Sequence, residues 1–570
     1  MKSLFITATT ALAITLPCRG VETADHILLN GRFITLDARE QIAEAMAIKG
    51  GRILAVGGND EIRKLAGPDT KAEDLAGRTV LPGLIESHCH SIGAARASLS
   101  GEYRELYSIA DIQEWIRERA KTAPTGSWIE VPRNEITRLK ERRHPTPEEL
   151  DAACTTHPVL FVSVTKSVLN TAGFQALGIV DEASTIPGGE VVREGGRPVL
   201  IRGGSAHIRS KMPPTPPPSR EETMKALKRL HGVYNSVGIT SIFERATDRD
   251  GVRMFEELRG KDELTVRMRG TFRFSAKKAG DVDAYVQKLG LKPGEGDDWI
   301  RATCLKITVD GGIHWGTTWL SEPYGEARTK FYRNTDPAYT GEKFYTPEQM
   351  REVFGRANEL GWPISAHVTG DAGAMAVLDA VEAVAQTQPT MRDRRFNLIH
   401  CYFPSPEMVA KAKSLNAGLD TQSYLYYRDS DALAKIYGPP WAERFLGLAS
   451  WVQGGVPVAI NSDHMIGFDP DHAMNSFNPF LILYIAVSRK NDLGEVHGAH
   501  QKLSRLDALR AVTLWPAWLS FDEKTLGSLE PGKLADFVVI DRDYLACPEE
   551  EIRVIRPVRT VVGGRTVYGK

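Results

Sequence analysis

Cysteine is scarce, six in 570 residues, which rules out a scaffold stapled by disulfides. No two cysteines stand at the close spacing of a zinc–thiolate motif either. Charge imbalance is also missing. Lys and Arg total 71 against 72 Asp and Glu, a net charge of -1, so no basic excess draws the chain to nucleic acid or to an anionic membrane. Past the N-terminus no apolar run is long enough to span a bilayer. The first segment, "MKSLFITATTALAITLPCRG", has one lysine, a short apolar stretch and then small residues. It reads as a secretory signal peptide over residues 1–20, cleaved after Gly20 or near Ala24. Cys18 raises a lipid anchor, but "TLPC" matches poorly the small residues expected before such a cysteine. The expectation is export, periplasmic or secreted, without lipidation. Cys89, Cys154, Cys304, Cys401 and Cys547 remain, an odd set that leaves at least one thiol free or paired between chains.

What is present falls into three textures. Residues 26 to 80 carry short apolar bursts separated by Asn-Gly and Gly-Gly turn signals, and "GSLEPGKLADFVVIDRD" and "VRTVVGGRTVYG" repeat that texture near the C-terminus. The two ends are expected to combine into one small β-sandwich, from residues 21–82 and 521–570. Between them, apolar strands alternate with amphipathic helical stretches such as "TPEQMREVFGRANEL". The strand candidates are "GLIESHCH", "GITSIFE", "TVRMRGTFRF", "RATCLKITVDG", "PISAHVTG", "FNLIHCYF", "AGLDTQS" and "PVAINSDH". This predicts an α/β fold, a (β/α)8 TIM barrel over residues 83–520. A large insertion after the first strand, at about 91–236, carries helices of its own.

Active-site residues of such barrels sit at the C-terminal ends of strands. There, polar residues interrupt runs that ought to be core. His88 and His90 close the first strand, facing the same way by alternation. Lys306 lies in the fourth strand, His367 ends the fifth, His400 the sixth and Asp463 the eighth. Each alone has a dull explanation: a hydrogen-bonded strand-end histidine, a lysine paired with Asp310, an aspartate capping a helix. Together on one rim they match a two-metal hydrolytic site. A charged lysine among metal-binding histidines would be repelled by the cations, so Lys306 fits only as a carboxylated lysine bridging them.

The chain resembles the amidohydrolase superfamily, and within it amidohydrolase family 3, the group that includes N-substituted formamide deformylase. The likeness rests on "PGLIESHCH", "IPGGEVVREGGRP", "GITSIFE", "LKITVDGG" with "SEPY", "HVTGDAGAMAVLDA", "LIHCYF", "NSD" and the closing "GSLEPGKLADFVVID". The resemblance implies a hydrolase that cleaves carbon–nitrogen bonds other than peptide bonds. It implies two divalent metal ions. His88, His90 and Asp463 would hold the more buried one, His367 and His400 the second, with carboxylated Lys306 between. Zinc suits these donors, and iron, manganese and nickel share them. A bridging hydroxide would attack the amide carbonyl, with Asp463 carrying its proton to the leaving nitrogen.

The chain departs from the family pattern at Glu86, where Asp is usual, at Thr165 and Val168, where His and Trp are usual, and in "VPRNEI", which lacks Gly-Trp-Asp. The metal set is complete, but the insertion that shapes the pocket is altered. His314 and Trp315, followed by Gln422, Tyr424 and Arg202, are candidates to face a small-molecule substrate. Two other readings compete. A mononuclear deaminase of the same superfamily would carry a Glu three residues after His367, where this chain has Gly370. A non-enzymatic binding protein on a degenerate barrel would be expected to have lost ligands. The sequence leaves the substrate open, and a homo-oligomer is as compatible with it as a monomer.

Overall fold

Eight parallel strands pair in chain order: Leu84–Cys89 (β1), Ile239–Thr247 (β2), Arg267–Arg273 (β3), Ile300–Thr308 (β4), Ile364–Val368 (β5), Asn397–His400 (β6), Gly418–Gln422 (β7) and Val458–Asn461 (β8). They belong to a computed structural model that describes residues 22–163, 165–214 and 216–569. The leader read over residues 1–20, with Cys18, lies outside the described residues. Each strand falls within one of the eight sequence candidates or overlaps it. The strands are near-continuous apolar runs because both faces are covered, one by helices and one by the barrel interior.

The helices between the strands follow from their sequences. Pro347–Glu359 starts from Thr346 in a capping box with Gln349, with proline in the first turn. Its Met350, Val353, Phe354 and Ala357 recur at helical spacing and are buried on one face. The ring closes between β8 and β1. The backbone N–H of His90 donates to His464 O at 2.8 Å, and Cys89 and His464 form a parallel bridge. A side-chain clasp reinforces the seam. Glu86 on β1 accepts from the Ser462 hydroxyl at 2.7 Å and from the Ser462 N–H at 3.2 Å, just past β8.

The terminal strands form two further sheets. One orders Arg52–Gly57, Ala45–Lys49, Ala24–Leu29 and Ala66–Asp74. The other joins Arg32–Ile34, Ile42–Ala43 and Thr79–Pro82 to Phe537–Ile540, Pro557–Val562 and Arg565–Gly569. Leu28, Met46 and Ile48 from the first pack against Phe33, Val80, Phe537 and Val539 from the second. The two chain ends therefore share one sandwich core. Thr79–Pro82 then runs straight into β1.

The stretch between β1 and β2 holds more than the helices read from the sequence. It builds a five-stranded sheet from Gly189–Glu194, Arg197–Gly203, Lys166–Leu169, Val159–Ser163 and Ile129–Glu130. These strands are short, the longest seven residues, so period-two alternation never runs long enough to stand out. Among the described residues no cysteine is in a disulfide, and no helix is long and apolar enough to cross a membrane.

Candidate active site

The C-terminal ends of β1, β4 and β8 meet at one buried oxygen. Asp463 Oδ1 lies 3.3 Å from His90 Nε2 and 3.5 Å from His88 Nε2, and Lys306 Nζ lies 3.1 Å from His88 Nε2. None of these spacings is a good hydrogen bond to Asp463, and its Oδ1 is buried with no hydrogen-bond partner. They do suit ligands of a single ion. Two donors each about 2.1 Å from a tetrahedral zinc stand roughly 3.4 Å apart. His88, His90 and Asp463 form a cluster whose donor atoms all lie within 4.8 Å of one another. His400 adjoins this group, its ring centroid 5.5 Å from that of His88, and His367 lies 4.3 Å from His400. The structure thus brings all six candidate ligands to one side of the barrel mouth.

Three of the four imidazoles are oriented by an oxygen acceptor on the far side, while His88 Nδ1 has no hydrogen-bond partner among the described residues. His90 Nδ1 meets Arg245 O at 2.7 Å, His400 Nδ1 meets Gln422 Oε1 at 2.6 Å, and His367 Nε2 meets Gly311 O at 2.9 Å. His88 Nδ1 faces Asp420 Oδ2 at 3.7 Å. An N–H held by an oxygen on one side leaves a lone pair on the other nitrogen, the form a metal ligand needs. A second layer locks these acceptors. Gln422 Nε2 donates to Asn461 Oδ1, Asn461 Nδ2 to Asp420 Oδ1, and Arg245 Nη2 to Asp420 Oδ2 at 2.6 Å. Asp310 takes the N–H groups of Thr369, Gly370 and Trp319 at 2.8 to 3.1 Å, tying the loop after β4 to the loop after β5. Lys306 is not its partner.

Electrostatics and backbone agree with this purpose. Burial pushes His400 down to about 4 and holds His88 and His367 well below the usual histidine range, so all three are neutral. Burial also lowers the Lys306 amine to about 8. Burial alone would raise the Asp463 carboxyl, but the close approach of His90, with the Lys306 amine nearby, holds it at about 2. His400 and Asp463 have positive φ, 78° and 53°. Non-glycine residues in that region cost about 1–3 kcal/mol each and cluster at functional sites, where they aim a side chain.

The sequence profile of the amidohydrolase family matches residues 71–568. The chain belongs to the amidohydrolase family. Membership carries the coarse activity with it: a hydrolase acting at carbon–nitrogen bonds of a small molecule. This amidohydrolase is 26% identical over 559 residues to N-substituted formamide deformylase of Arthrobacter pascens, covering 95% of this chain and 98% of that one. It is 25% identical over 565 residues to the protein LONG AFTER FAR-RED 3 of Arabidopsis thaliana, covering 96% and 92%. In fold it is similar to an uncharacterized metal-dependent hydrolase of Pyrococcus horikoshii, with a TM-score of 0.65 and 19% identity over 92% of this chain and 99% of the other.

Around the amidohydrolase's metal-ligand cluster, the substrate-facing candidates divide. Gln422 is fully buried with both ends of its amide engaged, so it positions His400. The Arg202 guanidinium is taken up by Arg333 O at 2.9 Å and by Glu190. Tyr424 lies under the Arg138 guanidinium. His314 Nε2 meets Asp429 Oδ2 at 3.0 Å in a buried knot with Thr137 and Arg138 of the insertion. Trp315 keeps an unpartnered indole N–H, and Arg133 of the insertion sits 5.8 Å over its ring and 3.4 Å from Met465 Sδ, just past Asp463. Sequence reasoning missed Asp420 and Arg245. Both are charged residues inside apolar strands, the signal that singled out Lys306. Arg138 and Asp429 carried no such signal, because neither interrupts an apolar strand.

Proposed function

We infer that the protein hydrolyses the carbon–nitrogen bond of a small, non-peptide amide with two divalent metal ions at the barrel mouth. The observation that carries this reading is the approach of the His88 and His90 ring nitrogens to the partnerless Asp463 oxygen, with Lys306 Nζ beside His88 and the His367–His400 pair next to them. The donors fit such ions: each oriented imidazole presents a lone pair, and the Asp463 carboxyl is ionised. His88, His90 and Asp463 would hold one ion, His367 and His400 the other, with Lys306, carboxylated on Nζ, between them. When bound, the ions would polarise the amide carbonyl and acidify a water molecule; nitrogen and carboxylate donors favour zinc, with iron, manganese and nickel served by the same set.

The chain's own part is positional and protonic. Asp463, the acidic group at the centre, accepts the proton of the attacking water and returns it to the leaving nitrogen. Arg245, Gln422, Asn461 and Asp420 keep the histidines in register. Trp315 and Arg133 cover the mouth where the substrate body lies.

A deaminase would need a proton-shuttling carboxylate at position 370. A Cβ there would stand 1.8 Å from Trp319 O, so no side chain fits. Asp371, next along, is engaged by Ser321 N–H at 2.9 Å and by the Ser321 hydroxyl at 2.6 Å. This favours the two-metal hydrolase over the deaminase. The leader-like N-terminus supports an exported enzyme. Metal content of protein purified without chelator tests the reading. About two ions per chain, falling to about one or none in Lys306→Ala, is the expected result. One ion, unmoved by that substitution, would sink the bridging role.

A further inference from the structure

Arg273 is the last residue of β3 and pairs in register with Lys306 of β4. Register partners in a parallel ladder point to the same face, about 4.8 Å apart at the backbone. That face is the barrel interior. Thr271, two residues earlier, receives Arg245 Nη1 and the Cys304 thiol there, whereas Phe272 and Phe274 point outward to pack on Trp362 and Tyr285. Arg273 therefore projects from the inner wall at the open end of the barrel, next to Lys306, and is exposed. Among the described residues its side chain makes no ion pair and no hydrogen bond; only its backbone carbonyl is engaged, by Tyr285 Oη at 3.0 Å.

Apart from Asp463 in the ligand cluster, the carboxylates of the adjoining strands and loops have partners: Asp248 takes the Gly251 N–H. Glu244 takes the Ser91 hydroxyl and N–H, Asp420 takes Arg245, and Asp310 takes three backbone N–H groups. The other cations near the mouth are engaged too. Lys166 donates to Trp315 O at 3.2 Å, and Arg133 lies 3.4 Å from Glu135. A free guanidinium with planar paired donors, beside the reacting centre and without a counter-ion, is a carboxylate receptor.

We propose that the substrate is an anionic amide whose carboxylate lies within a few bonds of the scissile C–N bond, the chemistry of an N-acyl amino acid, and that Arg273 binds that carboxylate. This rests on the hydrolase reading above. The closeness of Arg273 to Lys306 sets the short separation between the two groups. A neutral amide of the same shape would leave the guanidinium facing water.

The test uses the metal-loaded full chain with N-formyl and N-acetyl amino acids, each beside its C-terminal carboxamide. The acid should be preferred by about 10- to 100-fold in kcat/KM, carried by KM. Arg273→Met should erase that preference by raising KM for the acid towards that for the carboxamide, and Arg273→Lys should restore part of it. Equal use of acid and carboxamide by the native protein, or a preference that survives in Arg273→Met, would overturn the proposal. A metal-replete protein that cleaves no member of the panel would defeat the hydrolase reading instead. Calorimetric titration with the N-acetyl amino acids then decides the receptor separately. Binding lost in Arg273→Met supports it, and no binding to the native chain overturns it.

Discussion

Asp429→Asn should loosen the hold of the insertion on the barrel. Asp429, on the helix Ser423–Tyr437 that follows β7, is fully buried. It accepts from Thr137 Oγ1 at 2.6 Å, Arg138 Nη2 at 3.0 Å and His314 Nε2 at 3.0 Å. Three segments, the insertion, the loop after β4 and the loop-side helix after β7, are joined at this one carboxylate. Asparagine keeps the shape and removes the charge. Arg138 would then be left buried without its paired carboxylate, held by Met474 O at 2.5 Å, Asn475 Oδ1 at 3.2 Å and at most the one amide oxygen of the new side chain. Breaking one side of a buried pair costs about 3–5 kcal/mol, and the neutral acceptors that remain place this case near 3 kcal/mol. Urea unfolding of metal-loaded protein, followed by tryptophan fluorescence, would measure it. Adding Arg138→Met to the same chain should recover at least about 1–2 kcal/mol, since the stranded charge goes with it. A single variant within about 0.5 kcal/mol of the native protein would refute the reasoning, because a surface-like pair has only that worth.

Acid sensitivity should come partly from His231, which is buried between Tyr234 and Phe255 with neither nitrogen partnered; burial lowers it to about 3. The unfolded chain binds its proton at about 6.5, so stability is lost as pH falls from there toward about 3, by roughly 1.4 kcal/mol per pH unit. His231→Phe should flatten unfolding free energies between about pH 6.5 and 4.5 by that slope and leave neutral stability unchanged, and an unaltered slope would count against it. Gly370→Ala drives a methyl into Trp319 O at 1.8 Å and displaces the Asp310 clamp beside His367. It should lower both thermal stability, by about 1–3 kcal/mol, and kcat, and a fully active variant would show that this loop yields freely.

The barrel was legible because its strands are buried on both faces and its helices on one. That produces long apolar runs and helical spacing that any reading of periodicity detects. The sandwich was legible as two matching textures at the chain ends, although only pairing in space joins Leu81 to Val538. The insertion's sheet was not legible. Its strands are too short for alternation to exceed the background of loops.

Around the candidate site the division is similar. His88, His90, Lys306, His367, His400 and Asp463 stood out in the sequence because each spoils an apolar strand at its C-terminal end. Asp420 and Arg245 spoil strands too, but a lone charge in a strand reads as an error of strand assignment until its partner from another strand is seen, here each other. Gln422, read as a substrate contact, turns out to be occupied by His400 and Asn461, which come from β6 and β8.

The sequence by itself determined the barrel, its eight strands and the family, because these depend on local pattern and on motifs read within a few residues. Tertiary structure alone decided which nitrogen of each histidine faces inward, which charges are spent on one another, and that Arg273 is left free beside Lys306. Those outcomes depend on residues hundreds of positions apart arriving within a few ångströms, and one-dimensional spacing carries no record of that.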